Sequence, residues 1–142
     1  MTFALGEALS MLLINRGFLK PTVFLARGDG NTSGVSAAAF TTGLLRSGAD
    51  VLDGGILPAP AAAYLVTHYA AHAAAFVGAG GIRFFDEFGA EFSDSDKELI
   101  ESLLSEKPRI YNSDFGRLYN FTDAVNTYKH IGMLHHAHID IG

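Results

Sequence analysis

Residues 21–53 read PTVFLARGDGNTSGVSAAAFTTGLLRSGADVLD, and the order of chemical character along them decides the fold. Pro21 precedes Thr22, Val23, Phe24 and Leu25, a short β-rich run bounded by turn formers that reads as a buried strand. The glycine-rich segment Arg27-Gly28-Asp29-Gly30-Asn31-Thr32-Ser33-Gly34 follows as a loop. Val35 to Ser47 reads as an alanine-rich helix closed by Gly48, and Asp50-Val51-Leu52-Asp53 reads as the next strand. This is a strand–loop–helix–strand unit, the building block of a parallel sheet.

The same alternation continues outward. Upstream, Phe3, Leu5, Ala8, Leu9, Leu12 and Leu13 recur at helical spacing up to Gly17 and predict an amphipathic helix. Downstream, Ile56-Leu57-Pro58-Ala59-Pro60 reads as a rigid turn, because two prolines fix φ. Ala61 to Tyr69 resumes helical spacing through Tyr64, Leu65 and Tyr69. Ala73 to Val77 is a third strand candidate ending at Gly78-Ala79-Gly80-Gly81; Ile82 to Phe85 is a fourth, followed by a Glu87-Phe88-Gly89 turn. Ser93-Asp94-Ser95-Asp96 before Leu99, Ile100, Leu103 and Leu104 predicts a capped helix whose first-turn acids complement the dipole, ended by Pro108. Asp123 to Ile131, with Thr122 as its cap, predicts a last helix that leads into Leu134-His135-His136-Ala137-His138-Ile139. The pattern predicts an α/β fold with a mainly parallel sheet covered by helices on its faces.

Composition bounds the function. A chain of 142 residues is the size of one domain, so residues 1–142 are expected to share a single core. With 49% hydrophobic and 18% charged residues it lies well outside the disordered class. No apolar run approaches the roughly 20 residues needed to cross a bilayer. Met1 to Leu13 contain Glu7 and show no basic leader, so no secretory signal is read there and a cytoplasmic location is expected. The absence of cysteine removes disulfides, zinc–thiolate sites and thiol nucleophiles together. A net charge of −5 without a basic run leaves no electrostatic footprint for DNA or RNA.

Val23 to Gly34 and then Gly43-Leu44-Leu45-Arg46-Ser47-Gly48-Ala49-Asp50-Val51-Leu52-Asp53-Gly54-Gly55-Ile56-Leu57-Pro58-Ala59-Pro60 resemble the first domain of the α-D-phosphohexomutases, the phosphoglucomutase, phosphomannomutase and phosphoglucosamine mutase enzymes. Gly81-Ile82-Arg83-Phe84-Phe85 is similar to that family's Asn-Gly-Ile-Lys-Phe-Phe strand, and Phe92-Ser93 through Leu104 to its acidic-capped helix. Gly116-Arg117 to Tyr128 resembles the segment leading out of the domain, so the likeness covers about residues 3–130 and leaves a histidine-rich tail at 131–142. It implies a three-layer α/β/α domain with a mainly parallel, mixed sheet.

The departures from the family pattern shape the functional expectation. Family members have four domains, and the family's opening Thr-Asp/Ser-Gly-Ile/Phe-Arg-Gly strand precedes the point where this sequence starts. A sheet without that strand is expected to present an open edge for a partner chain or a second copy. The family nucleophile is a phosphorylated serine in a Thr/Ser-Ala-Ser-His-Asn-Pro loop between the third and fourth strands; here the stretch is Val77-Gly78-Ala79-Gly80-Gly81. Phosphoryl transfer through an enzyme-bound phosphate needs an oxygen nucleophile held in line, and glycine or alanine supplies none. In the loop matching Gly-Arg-Asp-x-Arg-x-Ser-Gly, Asp29, Ser33 and Gly34 are retained, the two arginines fall on Gly28 and Asn31, and Arg27 sits one place early. The magnesium loop of the family belongs to its second domain, so no metal or other cofactor is expected.

Each remaining constellation carries a plain structural reading beside its functional one. The Arg27–Gly34 loop can bind an anion at a helix N-terminus, or its glycines simply make the turn while Thr32 or Ser33 caps the helix. His68 and His72 are four apart on an expected helix, and His135, His136, His138 and Asp140 have workable metal-ligand spacing; a solvated surface and tail is the simpler account. Asp86, Glu87 and Glu91 read as a charged turn rather than an acid–base pair, and Phe84, Phe85, Phe88 and Phe92 as core rather than a sugar platform. The expectation is a phosphohexomutase domain I-like protein without catalysis, acting as a binding or assembly module and forming a homo-oligomer. Its ligand candidates are a phosphosugar or other small anion at Arg27, Asp29, Asn31, Ser33, Gly34, Gly80 and Arg83, with no catalytic residue. The alternative is an active mutase fragment completed by another chain, or one using Ser33 or Thr32 as substitute nucleophile.

Overall fold

The computed structural model describes residues 2–106, 114–121 and 124–129. The order is α1 (Thr2–Asn15), β1 (Thr22–Arg27), α2 (Asn31–Arg46), β2 (Asp50–Ile56), α3 (Ala59–His68), β3 (Ala73–Gly78), β4 (Gly81–Asp86), α4 (Asp94–Leu104) and β5 (Leu118–Asn120). Residues 124–129 are also helical. The strands form one sheet in the order β4-β3-β1-β2-β5. β1 pairs in parallel with β2 and β3, β2 pairs in parallel with β5, and β4 is antiparallel to β3. The expected mainly parallel, mixed α/β/α architecture is the one observed.

β1 occupies the centre because it is apolar on both faces. Val23 and Leu25 enter the core beneath α1, α2 and α4, whereas Phe24 and Ala26 enter the core beneath α3. The alternation continues in β3, where Ala73, Ala75 and Val77 serve the first core and Ala74 the second. Phe84 and Phe85 of β4 are both buried, on opposite sides, as the core reading expected. Phe92 is buried too, while Phe88, at the tip of the turn, is 80% exposed. Asp86 holds that turn by accepting from the amides of Phe88 at 2.9 Å and Ala90 at 3.0 Å, so its carboxylate is structural.

α1 and α2 cross at glycines. A Cβ on Gly43 would lie 2.0 Å from the Phe3 carbonyl oxygen, and one on Gly6 would lie 2.3 Å from that of Phe40. Ser10, fully buried near this crossing, donates to the Ser47 carbonyl at 3.2 Å. α4 starts as expected at Ser93, whose hydroxyl accepts from the Asp96 amide while the Asp96 carboxylate accepts from the Ser93 amide. The other Asp96 oxygen pairs with Arg16, which joins the end of α1 to the start of α4.

Several expectations are corrected. α2 begins at Asn31, with Gly30 as its cap and no side-chain cap hydrogen bond, so neither Thr32 nor Ser33 caps it. Gly30 has φ +123°, a conformation open to glycine, which reverses the chain without help from a side chain. The expected loop is thereby shortened from both ends, by β1 through Arg27 and by α2 from Asn31. β2 runs on to Ile56, and α3 starts at Ala59 with Pro60 in its first turn, where a missing amide hydrogen is harmless. His68 closes α3, but His72 lies beyond it: its Nδ1 accepts from the Thr22 amide at 3.0 Å and its ring stacks on Phe18 at 4.3 Å. The two histidines therefore do not share a helix face.

β5 was not expected as a strand. Its three residues are all exposed, and it is seated from outside, by the Asp50 carboxylate accepting from the Arg117 amide at 2.8 Å and by the Gly116 amide donating to the Leu45 carbonyl at 2.8 Å. The sheet thus ends at β5 on one side and at β4 on the other, where residues 90–92 cover part of the outer edge through a bridge between Phe85 and Glu91. No helix among the described residues is long and apolar enough to cross a membrane. His135, His136, His138 and Asp140, the cap at Thr122 and the ends of the expected 123–131 helix lie outside the described residues.

Candidate functional site

The strand order fixes where a ligand can enter. The connection from β1 runs through α2 to β2 on one side; α3 then returns the chain to β3 on the other side of β1. α2 and α3 cover opposite faces. Connections that diverge in this way leave a crevice beyond the carboxyl ends of the two central strands, the common ligand position of open α/β sheets. Here a cleft of about 440 Å³ opens at that point, lined by residues that include Gly28, Asp29, Ser33, Phe76, the Gly78–Gly81 turn and Arg83.

Three local features shape its walls. β1 ends at Arg27 and the Gly28 amide donates to the Val77 carbonyl at 2.9 Å, which keeps the β1 and β3 ends together. α2 then points its uncapped first turn toward the cleft, with Ser33 2% exposed and no hydrogen bond to its hydroxyl among the described residues. The β3–β4 hairpin closes as tightly as the backbone allows: Gly78 pairs with Gly81, leaving only Ala79 and Gly80 between them. Gly81, which leaves the turn, takes φ +131°, a conformation open to glycine. On β4, Arg83 stands opposite Phe76, its Nε donates to Glu91 at 2.6 Å and its guanidinium lies 5.5 Å from the centre of the Phe85 ring.

The residues singled out from the sequence divide between two places. Asp29, Ser33, Gly80 and Arg83 line the cleft. Arg27 and Gly34 instead line a neighbouring groove of about 360 Å³ beside α2, shared with Asp53 and Leu118. Arg27 turns away from the cleft because its Nη1 lies over Gly34, within 3.5 Å of where a Cβ would stand there. Asn31 is exposed at the start of α2 and lines neither. Phe76 and Ile82 line the cleft without having been singled out. The available signal for Phe76 was an aromatic residue just before the glycine turn, at the carboxyl end of a strand. Among the described residues no group of three or more histidine or acidic side chains is placed to hold a metal ion.

The Asp96 carboxyl is held below its ordinary pKa. The hydrogen bond from Arg16 holds it low, assisted by Ser93 and opposed by partial burial. It lies at the α1–α4 junction and takes no part in the cleft.

Comparison with known proteins agrees with this geometry. Residues 1–109 match the family model described as phosphoglucomutase/phosphomannomutase, alpha/beta/alpha domain I. The phosphoglucosamine mutase of an Arthrobacter species is 36% identical over 117 residues, covering 77% of this chain and 26% of that protein. The phosphoglucosamine mutase of Syntrophomonas wolfei is 35% identical over 140 residues, 90% of this chain and 31% of that protein. The chain therefore spans less than a third of the length of these relatives. Among solved structures, a phosphomannomutase of Thermus thermophilus shares the fold with a TM-score of 0.72 at 23% identity, over 86% of this chain and 29% of that one. A likeness of motifs noted from the sequence, a family model matched over most of its length and a shared five-strand topology converge: this chain belongs to the phosphoglucomutase/phosphomannomutase family, as its alpha/beta/alpha domain I.

Proposed function

We propose that this protein is a phosphohexomutase domain I that has lost the phosphoryl-transfer step and works by binding, as a ligand-binding or assembly module of sugar-phosphate metabolism in the cytoplasm. One observation carries the reading. The β3 and β4 ladders pair as far as Gly78 and Gly81, so the connection is the Ala79-Gly80 turn and contains no side-chain oxygen. A phosphoryl carrier must hold an oxygen nucleophile in line with the transferred group. Here that place is filled by backbone and one methyl group. Ser33, the hydroxyl within the cleft, is buried, and no described residue is hydrogen-bonded to it as an activating base. The assembly half of the proposal rests on the β5 edge, where Leu118 is 53% and Tyr119 42% exposed along a strand with no further partner among the described residues.

The test is turnover by the full 142-residue chain. Incubated with glucosamine 6-phosphate and a labelled hexose 1,6-bisphosphate, the protein is expected to form no glucosamine 1-phosphate and to retain no label. Interconversion above the protein-free blank, abolished by Ser33→Ala, would overturn the proposal in favour of a substitute nucleophile. Light scattering after size exclusion is expected to show a homo-oligomer, and a strict monomer at all concentrations removes the assembly half.

A further inference from the structure

The N-terminus of α2 is left open in two ways that do not depend on each other. Its cap is Gly30, with no side chain to satisfy the amides of Asn31, Thr32 and Ser33 that the first turn leaves free. Beside them the Ser33 hydroxyl is 2% exposed, lines the cleft and has no hydrogen-bond partner among the described residues. A hydroxyl removed from water without a partner is destabilising, and buried polar groups in folded proteins are nearly always paired with protein, water or ligand. Alanine would fill the same space without that penalty. The unmatched donors and the positive end of a 16-residue helix converge on the cleft at the strand-order switch point.

We propose that the first turn of α2 and the Ser33 hydroxyl form a seat for one small tetrahedral oxyanion, either free phosphate or the phosphate of a phosphomonoester. The amides of the first turn and the Ser33 hydroxyl donate to its oxygens. Phe76, half-buried on the adjacent wall, presents an apolar surface to whatever the phosphate carries. Across the cleft, Arg83 spends its Nε on Glu91 but has Nη1 and Nη2 without hydrogen-bond partners among the described residues. Asp29 is the opposing term. Its exposed carboxylate lies at the mouth and repels an anion, so the seat is weak and its affinity depends on that charge. The proposal deepens the binding-module reading and rests on it, by naming the ligand chemistry of the same cleft.

The experiment is a nitrogen-15 NMR titration of the full chain with inorganic phosphate at constant ionic strength, repeated with glucose 6-phosphate and with glucose. Saturable shifts of the Asn31, Thr32 and Ser33 amides are expected with both phosphates and not with glucose. If glucose 6-phosphate also shifts the Phe76 ring protons in proton spectra of the same samples, the phosphomonoester is the source; binding of phosphate alone identifies the free ion. Ser33→Ala is expected to weaken phosphate binding about tenfold, the usual size of a lost hydrogen bond to a charged group. Asp29→Asn is expected to tighten it severalfold, an opposite sign that damage to the fold would not produce. Because Ser33→Ala removes an unpartnered hydroxyl, the free variant should melt no lower than the parent. No saturable shift at these amides with either phosphate, or unchanged affinity in Ser33→Ala, would overturn the seat. Neither result touches the absence of turnover, which is read by the separate mutase assay.

Discussion

Gly43→Ala tests whether α1 and α2 really meet backbone to backbone, the contact that sets where the first turn of α2 lies. An added Cβ would stand 2.0 Å from the Phe3 carbonyl oxygen and 3.2 Å from the Glu7 amide nitrogen. The first distance is about 1.4 Å short of ordinary contact, and the obstacle is backbone, which cannot rotate away. The helices must part, loosening Leu9, Leu13, Phe40 and Leu44, all of which are buried at this layer. Overpacking of this kind costs about 1–3 kcal/mol, and more where backbone is displaced. Working against it, alanine is favoured over glycine inside a helix by about 1 kcal/mol. The clash wins, and a net loss of about 2 kcal/mol is expected. For a domain of this size that lowers the melting temperature by roughly 6–8 °C. The control is Gly34→Ala in the same helix, where the new methyl would meet Arg27 Nη1 at 3.5 Å, an ordinary contact. There the propensity gain should stand alone and raise stability by up to about 1 kcal/mol. Circular dichroism melts and urea titrations at one pH measure both. A Gly43→Ala protein that melts at or above the parent temperature would refute the close crossing.

Further outcomes follow from single contacts. Asp96 is held below the ordinary carboxylate range by Arg16, so on acidification the unfolded chain takes up its proton first. The stability it contributes is present above the unfolded carboxylate pKa and is lost as pH falls through the lower folded value. Asp96→Asn should flatten this acid limb of the urea midpoint, by less than about 1 kcal/mol because the pair is partly solvated. Gly116→Ala would place a Cβ 1.6 Å from the Ala49 carbonyl oxygen and should unseat β5. Hydrogen exchange should then accelerate at the amide of Val51, which donates to the Arg117 carbonyl, and at that of Phe121, which donates to the Asp53 carbonyl, while β1 stays protected. His72→Phe retains a ring against Phe18 but leaves the Thr22 amide without its acceptor; chemical denaturation should show a loss of about 1 kcal/mol.

Four strands and four helices were legible from residues 3–104 because their signals are local. Apolar runs of strand length, 3.6-residue periodicity and the stops at Gly17 and Gly48 need no knowledge of the rest of the chain. The Ser93 cap with acids in the first turn was equally local and is present, and the structure adds the reciprocal bond that makes it a capping box. β5 was not legible, since Leu118, Tyr119 and Asn120 show no buried face. What makes them a strand is a carboxylate 67 residues earlier and a glycine that fits against Ala49. α2 starts earlier than its residue types suggest, for a related reason. Thr32 and Ser33 are good cap residues by type, but the backbone reverses at Gly30 and carries both into the helix.

For the site the division is sharper. That no oxygen nucleophile stands between the third and fourth strands was settled by residue types alone, because glycine and alanine cannot acquire one by folding. Which of the candidate residues meet was decided only by the order β4-β3-β1-β2-β5. Placing β3 beside β1 brings Ser33 and Asp29 to the glycine turn and to Arg83, while Gly34 of α2 and the Arg27 side chain that lies over it line the neighbouring groove. Sequence carries chemistry residue by residue, but strand order depends on long-range packing energies summed over two cores, and no local window contains them.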